Sequence, residues 1–396
     1  FFVAKYSAVG LTALSIIYPI QLLMVALATG TGAGVNILIS RLDGLGRSKE
    51  QHQVIKSGLL LTLFHFLIFA VAGTMLAEFY FQISTDNLAV AKDGIIYTKI
   101  IFIGSLGLFV ESICTKILQA RGNMVIPMIA QITGSLLNII LDLFLIFGLT
   151  GFPELGIAGA AIATVIGQWA AMFITLIAVI RKYSLRGRFQ ISVCKQIYQN
   201  GIGSIVTQSL FTLYIVGLNM ILKGFTEDAV TVLGIYYKIQ SFFFIPLLGF
   251  QQVLLPLISY NYGAGKISRT KDILKFASIV SCCIMTVATM IFFAFPHLLI
   301  AIFSTSPALL NIGSYALRVI SISFIFAGLT IVITSYLQGI ARMQASIFII
   351  VLRQVFLLVP LAWVLHFWGL NAVWWTFPLT EVIACVAGII CVKMFR

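Results

Sequence analysis

Apolar runs long enough to cross a bilayer recur along nearly the whole of this chain, and they leave few architectures open. A bilayer core takes about 20 apolar residues of helix. Runs on that scale lie near 11–40, 54–81, 91–119, 124–150, 156–180, 199–222, 229–259, 270–303, 308–339, 344–368 and 370–394. The other structure that spans lipid is a closed barrel, but these runs lack the in–out alternation of barrel strands. An all-α polytopic membrane protein is therefore expected. Composition agrees: 60% of the 396 residues are apolar and 9% are charged, against about a quarter charged in a soluble domain. A soluble enzyme is excluded.

The net charge of +13 would suit a nucleic-acid partner if the basic residues formed one patch. They do not. Loops after the first, third, fifth, seventh and ninth runs hold Arg41, Arg47, Lys49 and Lys56; Arg121; Arg181, Lys182, Arg186, Arg188 and Lys195; Lys266, Arg269, Lys271 and Lys275; and Arg342, with Lys393 and Arg396 at the end. The alternate loops hold Lys5, Lys92 and Lys223 beside Glu78, Asp86, Asp93, Glu154, Glu227 and Asp228. This is the positive-inside bias. It predicts a cytoplasmic C-terminus and an external first residue. The basic excess marks topology, with anionic lipid as a secondary contact, and no nucleic-acid partner is expected. The six cysteines show neither a C-x-x-C pair nor metal spacing with histidine, so they read as small packing residues and no metal is expected.

The chain repeats itself at an offset of 219. Tyr18 and Ile20-Gln21 fall on Tyr237 and Ile239-Gln240, Ile39-Ser40 on Ile258-Ser259, and Gly44-x-Gly46 on Gly263-x-Gly265. Thr115, Leu118 and Gln119 fall on Thr334, Leu337 and Gln338. With a shorter offset, Gly156-Ile157-Ala158-Gly159-Ala160 parallels Gly369-Leu370-Asn371-Ala372-Val373. The run at 199–222 has no counterpart in the first half. The expectation is thus two six-helix lobes related as parallel repeats, with eleven of twelve helices present and helix 1 absent. The N-terminal lobe would be 1–190 (helices 2–6) and the C-terminal lobe 191–396 (helices 7–12).

Several stretches carry a family resemblance: Pro256-Leu257-Ile258-Ser259-Tyr260-Asn261-Tyr262-Gly263-Ala264, Leu136-Leu137-Asn138-Ile139-Ile140-Leu141-Asp142, Gly156 through Thr164, and Leu118-Gln119-Ala120-Arg121-Gly122-Asn123. With them the chain resembles the MATE (multidrug and toxic compound extrusion) family, in its MepA-like bacterial branch. The resemblance implies a secondary active exporter of organic cations, driven by antiport with protons or sodium ions through alternating access between two lobes. A monomer without cofactor is expected, its partners being small organic cations and the lipid bilayer. The family's acids on helices seven and ten have no counterpart here. Helix seven offers Ser204, Gln208 and Thr212, and helix ten offers Arg318.

An ionisable group at membrane depth is costly and asks for a reason. Gln131, Ser135, Asn138 and Asp142 follow steps of four, three and four, which puts them on one helical face. An organic cation arriving beside a protonated Asp142 would favour ionisation and displace the proton, which is antiport by competition for one carboxylate. The structural alternative bonds Asp142 to Asn138 or Lys99. Glu111, with Thr115 one turn on, forms a second polar face; the alternative there is an ion pair with Lys116. The two acids could share one cavity, and Gln208 completes the candidate substrate and cation set. Glu381 is expected to pair with Arg353 or Arg318, with substrate contact as the alternative. Phe242, Phe243, Phe244 and Phe250 either line a cavity or pack. Trp363, Trp368, Trp374 and Trp375 read as an interfacial belt, and Pro246 and Pro256 as breaks in their helix. His65 reads as a satisfied or interfacial histidine. A flippase for lipid-linked oligosaccharides is the rival reading, carried by Arg318, Arg353 and Lys238.

Overall fold

The computed structural model describes residues 2–151, 153–183, 187–304 and 306–394, so Arg186 and Arg396 of the basic set lie outside it, as does the side chain of Thr212. Every regular element among the described residues is helical, and the chain divides into two compact units, Phe1–Ile205 and Val206–Arg396. The first holds α1 (Phe2–Tyr6), α2 (Ala8–Gly44), α3 (Ser48–Met75), α4 (Ala77–Ser84), α5 (Leu88–Gly104), α6 (Leu106–Ala120), α7 (Val125–Phe147) and α8 (Gly156–Lys182). The unit boundary falls inside α9 (Ile191–Lys223). The second unit continues with α10 (Glu227–Gly263), α11 (Ile267–Ala294), α12 (Pro296–Ala301), α13 (Pro307–Ser321), α14 (Phe324–Gly339) and α15 (Met343–Val351). A π-helical turn, Leu352–Leu357, joins α15 to α16 (Leu358–Leu365), and α17 (Leu370–Val373) and α18 (Thr376–Met394) close the chain.

Nine of these helices or helical runs are individually long and apolar enough to cross a membrane, and two bent pairs raise the number among the described residues to eleven. The bent pairs are α5–α6, at 42°, and α13–α14, at 45°. Both bends sit where a serine satisfies the backbone locally. Ser105 Oγ donates to the Phe102 carbonyl at 2.7 Å, and Ser323 Oγ donates to that of Ile320 at 2.6 Å. Such back-bonding bends a helix without leaving a carbonyl bare in lipid. Each first turn of α2, α5 and α10 is closed by a side chain, with Ser7, Asn87 and Thr226 accepting backbone N–H bonds.

The repeat is visible in the elements themselves. The starts Ala8 and Glu227, Ser48 and Ile267, Ala77 and Pro296, and Leu88 and Pro307 all stand 219 positions apart. Matching turns carry matching left-handed backbone: Gly46 and Gly265 both have φ +72°, while Gly122 has +76° and Ala341, a residue with a side chain, has +61°. That Ala341 takes the conformation at a steric cost shows how firmly the turn is fixed.

Each unit packs its own core. In the second, Phe243, Phe292, Phe324 and Phe244 form an edge-to-face chain with centroids 5.2, 4.9 and 5.3 Å apart. Of Phe242, Phe243, Phe244 and Phe250 on α10, the last three are thus packing residues or rest against the core, whereas Phe242 is exposed. Trp374 departs from the expected belt. It is fully buried in the second unit's core, while Trp363, Trp368 and Trp375 are exposed. Nor do Pro246 and Pro256 break their helix, since α10 runs unbroken for 37 residues. At the basic end of the first unit, Gln51 donates to Asp43 at 3.0 Å, Arg121 bonds Gln51 and lies 3.6 Å from Asp43, and its guanidinium covers the Tyr183 ring at 5.3 Å. This network ties together the ends of α2, α3, α6 and α8.

Candidate functional site

A polar cavity inside the first unit is made possible by two glycines. Where α7 crosses α8, a Cβ on Gly134 would stand 2.7 Å from the Gly167 carbonyl oxygen, and one on Gly167 would stand 2.6 Å from that of Gly134. No side chain fits there, so the two backbones touch, as small residues allow in membrane helices. Gly159 extends the contact, its position closing to 2.4 Å on the Leu145 carbonyl. The polar residues beside the crossing then face α6 across a cavity of about 230 Å³. Its polar lining is Glu111 from α6, Gln131, Ser135 and Asn138 from α7, and Thr164 and Gln168 from α8.

Glu111 is buried, and its Oε1 accepts hydrogen bonds from Thr115 Oγ1 at 2.6 Å and from Gln131 Nε2 at 2.9 Å. Two donors on one carboxylate oxygen are the charge-assisted kind of bond that holds a side chain in place. Lys116 interacts with Glu111 electrostatically while its Nζ donates to Gln119 Oε1 at 3.0 Å. Asn138 Nδ2 donates to Thr164 Oγ1 at 3.4 Å, and that hydroxyl in turn donates to the Ala160 carbonyl at 2.9 Å. The cavity therefore presents one carboxylate and several amide and hydroxyl groups, with no basic side chain in its lining.

Four of the six residues singled out from the sequence, Glu111, Gln131, Ser135 and Asn138, meet at this cavity. Asp142 follows one turn beyond Asn138 on α7, half-buried and outside the lining. Its Oδ1 is buried without a hydrogen-bond partner. It interacts instead with Tyr97 of α5, whose hydroxyl accepts a bond from Gln21 Nε2 of α2 at 3.4 Å. Gln208 is exposed, belongs to the second unit and does not line the cavity. Lys99, a possible partner for Asp142, pairs with Glu78 at 2.7 Å. That lysine, beside an exposed carboxyl, holds Glu78 below the usual carboxylate range.

Thr164, Gln168, Gln21 and Tyr97 were not anticipated. The available signal was uncharged polarity inside an apolar run, with Thr164 and Gln168 one turn apart on α8. In the second unit Glu381 pairs with Arg353, Nε to Oε1 at 2.7 Å, and Arg318 is exposed. His65 is buried and bonded to the Tyr198 hydroxyl.

Known proteins fit this architecture. The model of the MatE family matches residues 1–144 and 204–364. A protein called FAD transporter in Shewanella oneidensis is 27% identical, over 91% of this chain and 81% of its own length. The multidrug export protein MepA of Staphylococcus saprophyticus is 26% identical, over 98% of this chain and 86% of its own length. Among solved structures, a mutant of the Vibrio cholerae MATE transporter VcmN superposes with a TM-score of 0.93 at 20% identity, covering 99% of this chain and 90% of that one. A MOP superfamily transporter from Pyrococcus furiosus gives 0.90 at 20% identity, over 99% and 89%. A family model matched over most of the chain, on a multi-pass helical fold shared with these transporters, establishes that the chain belongs to the MATE family.

Proposed function

We propose that this protein is a secondary active multidrug exporter that binds organic cations at the first-unit cavity and exchanges them for protons or sodium ions. The observation that carries the reading is the cavity's composition: the buried Glu111 carboxylate, amide and hydroxyl groups around it, and no basic side chain in the lining. A cation entering such a site gains a charged partner, and the amides turn to suit ligands of different shape. The MepA relatives are named as multidrug exporters, which supports the same substrate class. A lipid-linked pyrophosphate would need the opposite lining, as would the phosphates of the FAD after which another relative is named.

In this reading Asp142 serves the coupling ion. Its unpartnered Oδ1 lies one helical turn from the cavity's Asn138. A proton or sodium ion held there neutralises the carboxylate, and a cation at Glu111 of α6 competes with it through the polar face of α7, where Gln131 bonds Glu111 and Asn138 stands one turn from Asp142. Binding of one then weakens binding of the other, the reciprocal coupling that antiport requires. Alternating access carries the occupied site from one face of the membrane to the other.

The test is ethidium efflux from vesicles containing the full chain, driven separately by pH and by sodium gradients. Asp142→Asn is expected to abolish transport driven by the coupling ion, while Glu111→Gln weakens ethidium binding about tenfold or more. Wild-type efflux from both variants would refute the site.

A further inference from the structure

The repeat places an ion pair in the second unit where the first unit has its cavity. The 219 offset, fixed by the matched turn at Gly122 and Ala341, carries Gly134 and Ser135 onto Arg353 and Gln354. The offset from Gly156 to Gly369, both with positive φ, carries Gly167 and Gln168 onto Thr380 and Glu381. The glycine crossing and the cavity wall beside it are thus replaced by charged and polar side chains.

Those side chains are under-satisfied. Glu381 is 7% exposed and its Oε1 takes the Arg353 Nε at 2.7 Å, but its Oε2 is buried with no partner. Gln354 Oε1 and Thr380 Oγ1 are buried and unpartnered as well. Buried polar atoms left this way in a native fold call for an explanation. Tyr214 and Tyr236 interact with both charges of the pair, and Tyr237 with Arg353. Their rings adjoin, with centroids 5.0 Å apart for Tyr236 and Tyr237 and 6.4 Å for Tyr214 and Tyr237. Arg353 lies in the π-helical turn, a local irregularity often found at functional sites, and its side chain keeps 26% exposure.

Charge balance narrows what can bind. A cation alone would take Glu381 and leave the guanidinium without its counter-ion, and an anion alone would strand the buried carboxylate; either breaks the pair and leaves one charge uncompensated. A ligand bearing both charges strands neither. We propose that the Arg353–Glu381 pair anchors a second ligand site, for small aromatic zwitterions. The ligand's carboxylate takes Arg353, its ammonium takes Glu381, and its ring lies against Tyr237, the half-buried one of the three tyrosines. The partly exposed Arg353 marks the way in, and the π-helical turn lets it swing. This site stands on the second unit's residues alone and does not depend on the antiport reading.

Three probes with one ring test it on the purified full chain by calorimetry at neutral pH: phenylalanine, phenethylamine and phenylpropionate. Phenylalanine is expected to bind at least about tenfold tighter than either singly charged probe. Arg353→Gln should move the preference to phenethylamine, which answers the carboxylate left behind, and Glu381→Gln should move it to phenylpropionate. The exchanged pair Arg353→Glu with Glu381→Arg should keep the zwitterion preference, and Asp142→Asn should leave it untouched. Equal binding of the three probes by the wild-type chain overturns the proposal, even if the variants fail to fold. So does a zwitterion preference that survives both single substitutions.

Discussion

Glu111 and Asp142 are both acids inside apolar helices, yet their surroundings treat them differently. Glu111 is held by Thr115 and Gln131, whereas the Asp142 Oδ1 has no donor. Replacing Glu111 with Gln removes the charge from two hydrogen bonds, and bonds to charged groups are worth about 1 kcal/mol more each than neutral ones. Thermal unfolding in detergent is therefore expected to fall for Glu111→Gln. Asp142→Asn should match or exceed the wild type, because it removes an unanswered charge; an equal loss for both variants would contradict the contrast. Both acids were legible in the sequence, since any carboxylate at membrane depth stands out. Their partners were not. Thr164 and Gln168 become significant through the way α8 meets α7, and no spacing within α8 reports that. At the surface, Lys99 lowers the Glu78 pKa. The pair therefore contributes above the unfolded carboxyl pKa, and its contribution is lost as pH falls through the folded value. Glu78→Gln should lower Tm slightly at neutral pH, where the pair contributes, and leave the most acid end unchanged, so that the acid limb of a Tm–pH curve flattens.

Among elements, the α7–α8 crossing is the contact on which the site depends. Gly167→Ala would push a methyl into the Gly134 carbonyl, a rigid backbone neighbour. Overpacking of this kind costs about 1–3 kcal/mol, and separating the helices would also spread the cavity wall. Gly234 in α10 supplies the opposite case. It is exposed, no atom lies within 4 Å of its would-be Cβ, and Gly234→Ala should stabilise the helix by about 0.5–1 kcal/mol. Unfolding midpoints of the two alanine variants should move in opposite directions, and only Gly167→Ala should weaken ethidium binding. Helix number and extent were readable because a span needs a fixed apolar length. The bends at Ser105 and Ser323 were not, because a back-bonding serine looks like any small residue in the run. The prolines misled for a related reason: α10 tolerates Pro246 and Pro256 in a continuous helix where neighbouring groups accommodate the lost bond.

For the whole chain, charge distribution predicts an orientation that the helices alone leave open. In the first unit, Arg41, Arg47, Lys49 and Arg121 lie near one set of helix ends, with Glu78, Asp86, Asp93 and Glu154 near the other. The repeat preserves the alternation, since Lys266, Arg269 and Lys271 follow α10 as Arg47, Lys49 and Lys56 follow α2. Two halves with one alternation reinforce each other in setting topology, so the basic ends should face the cytoplasm. The basic residues Arg318, Arg353 and Lys238 already set the second lobe apart in the sequence, but the glycine crossing did not show there: four helix starts are kept to the residue, whereas Gly134 and Gly167 correspond to Arg353 and Thr380. Orientation is checked with single cysteines in a background lacking the six native ones. Glu154→Cys should react with a membrane-impermeant maleimide in intact cells. Lys266→Cys should react only after permeabilisation, because its loop belongs to the basic side. The reverse pattern would invert the transporter in the membrane, and with it the direction of export proposed for the first-unit cavity.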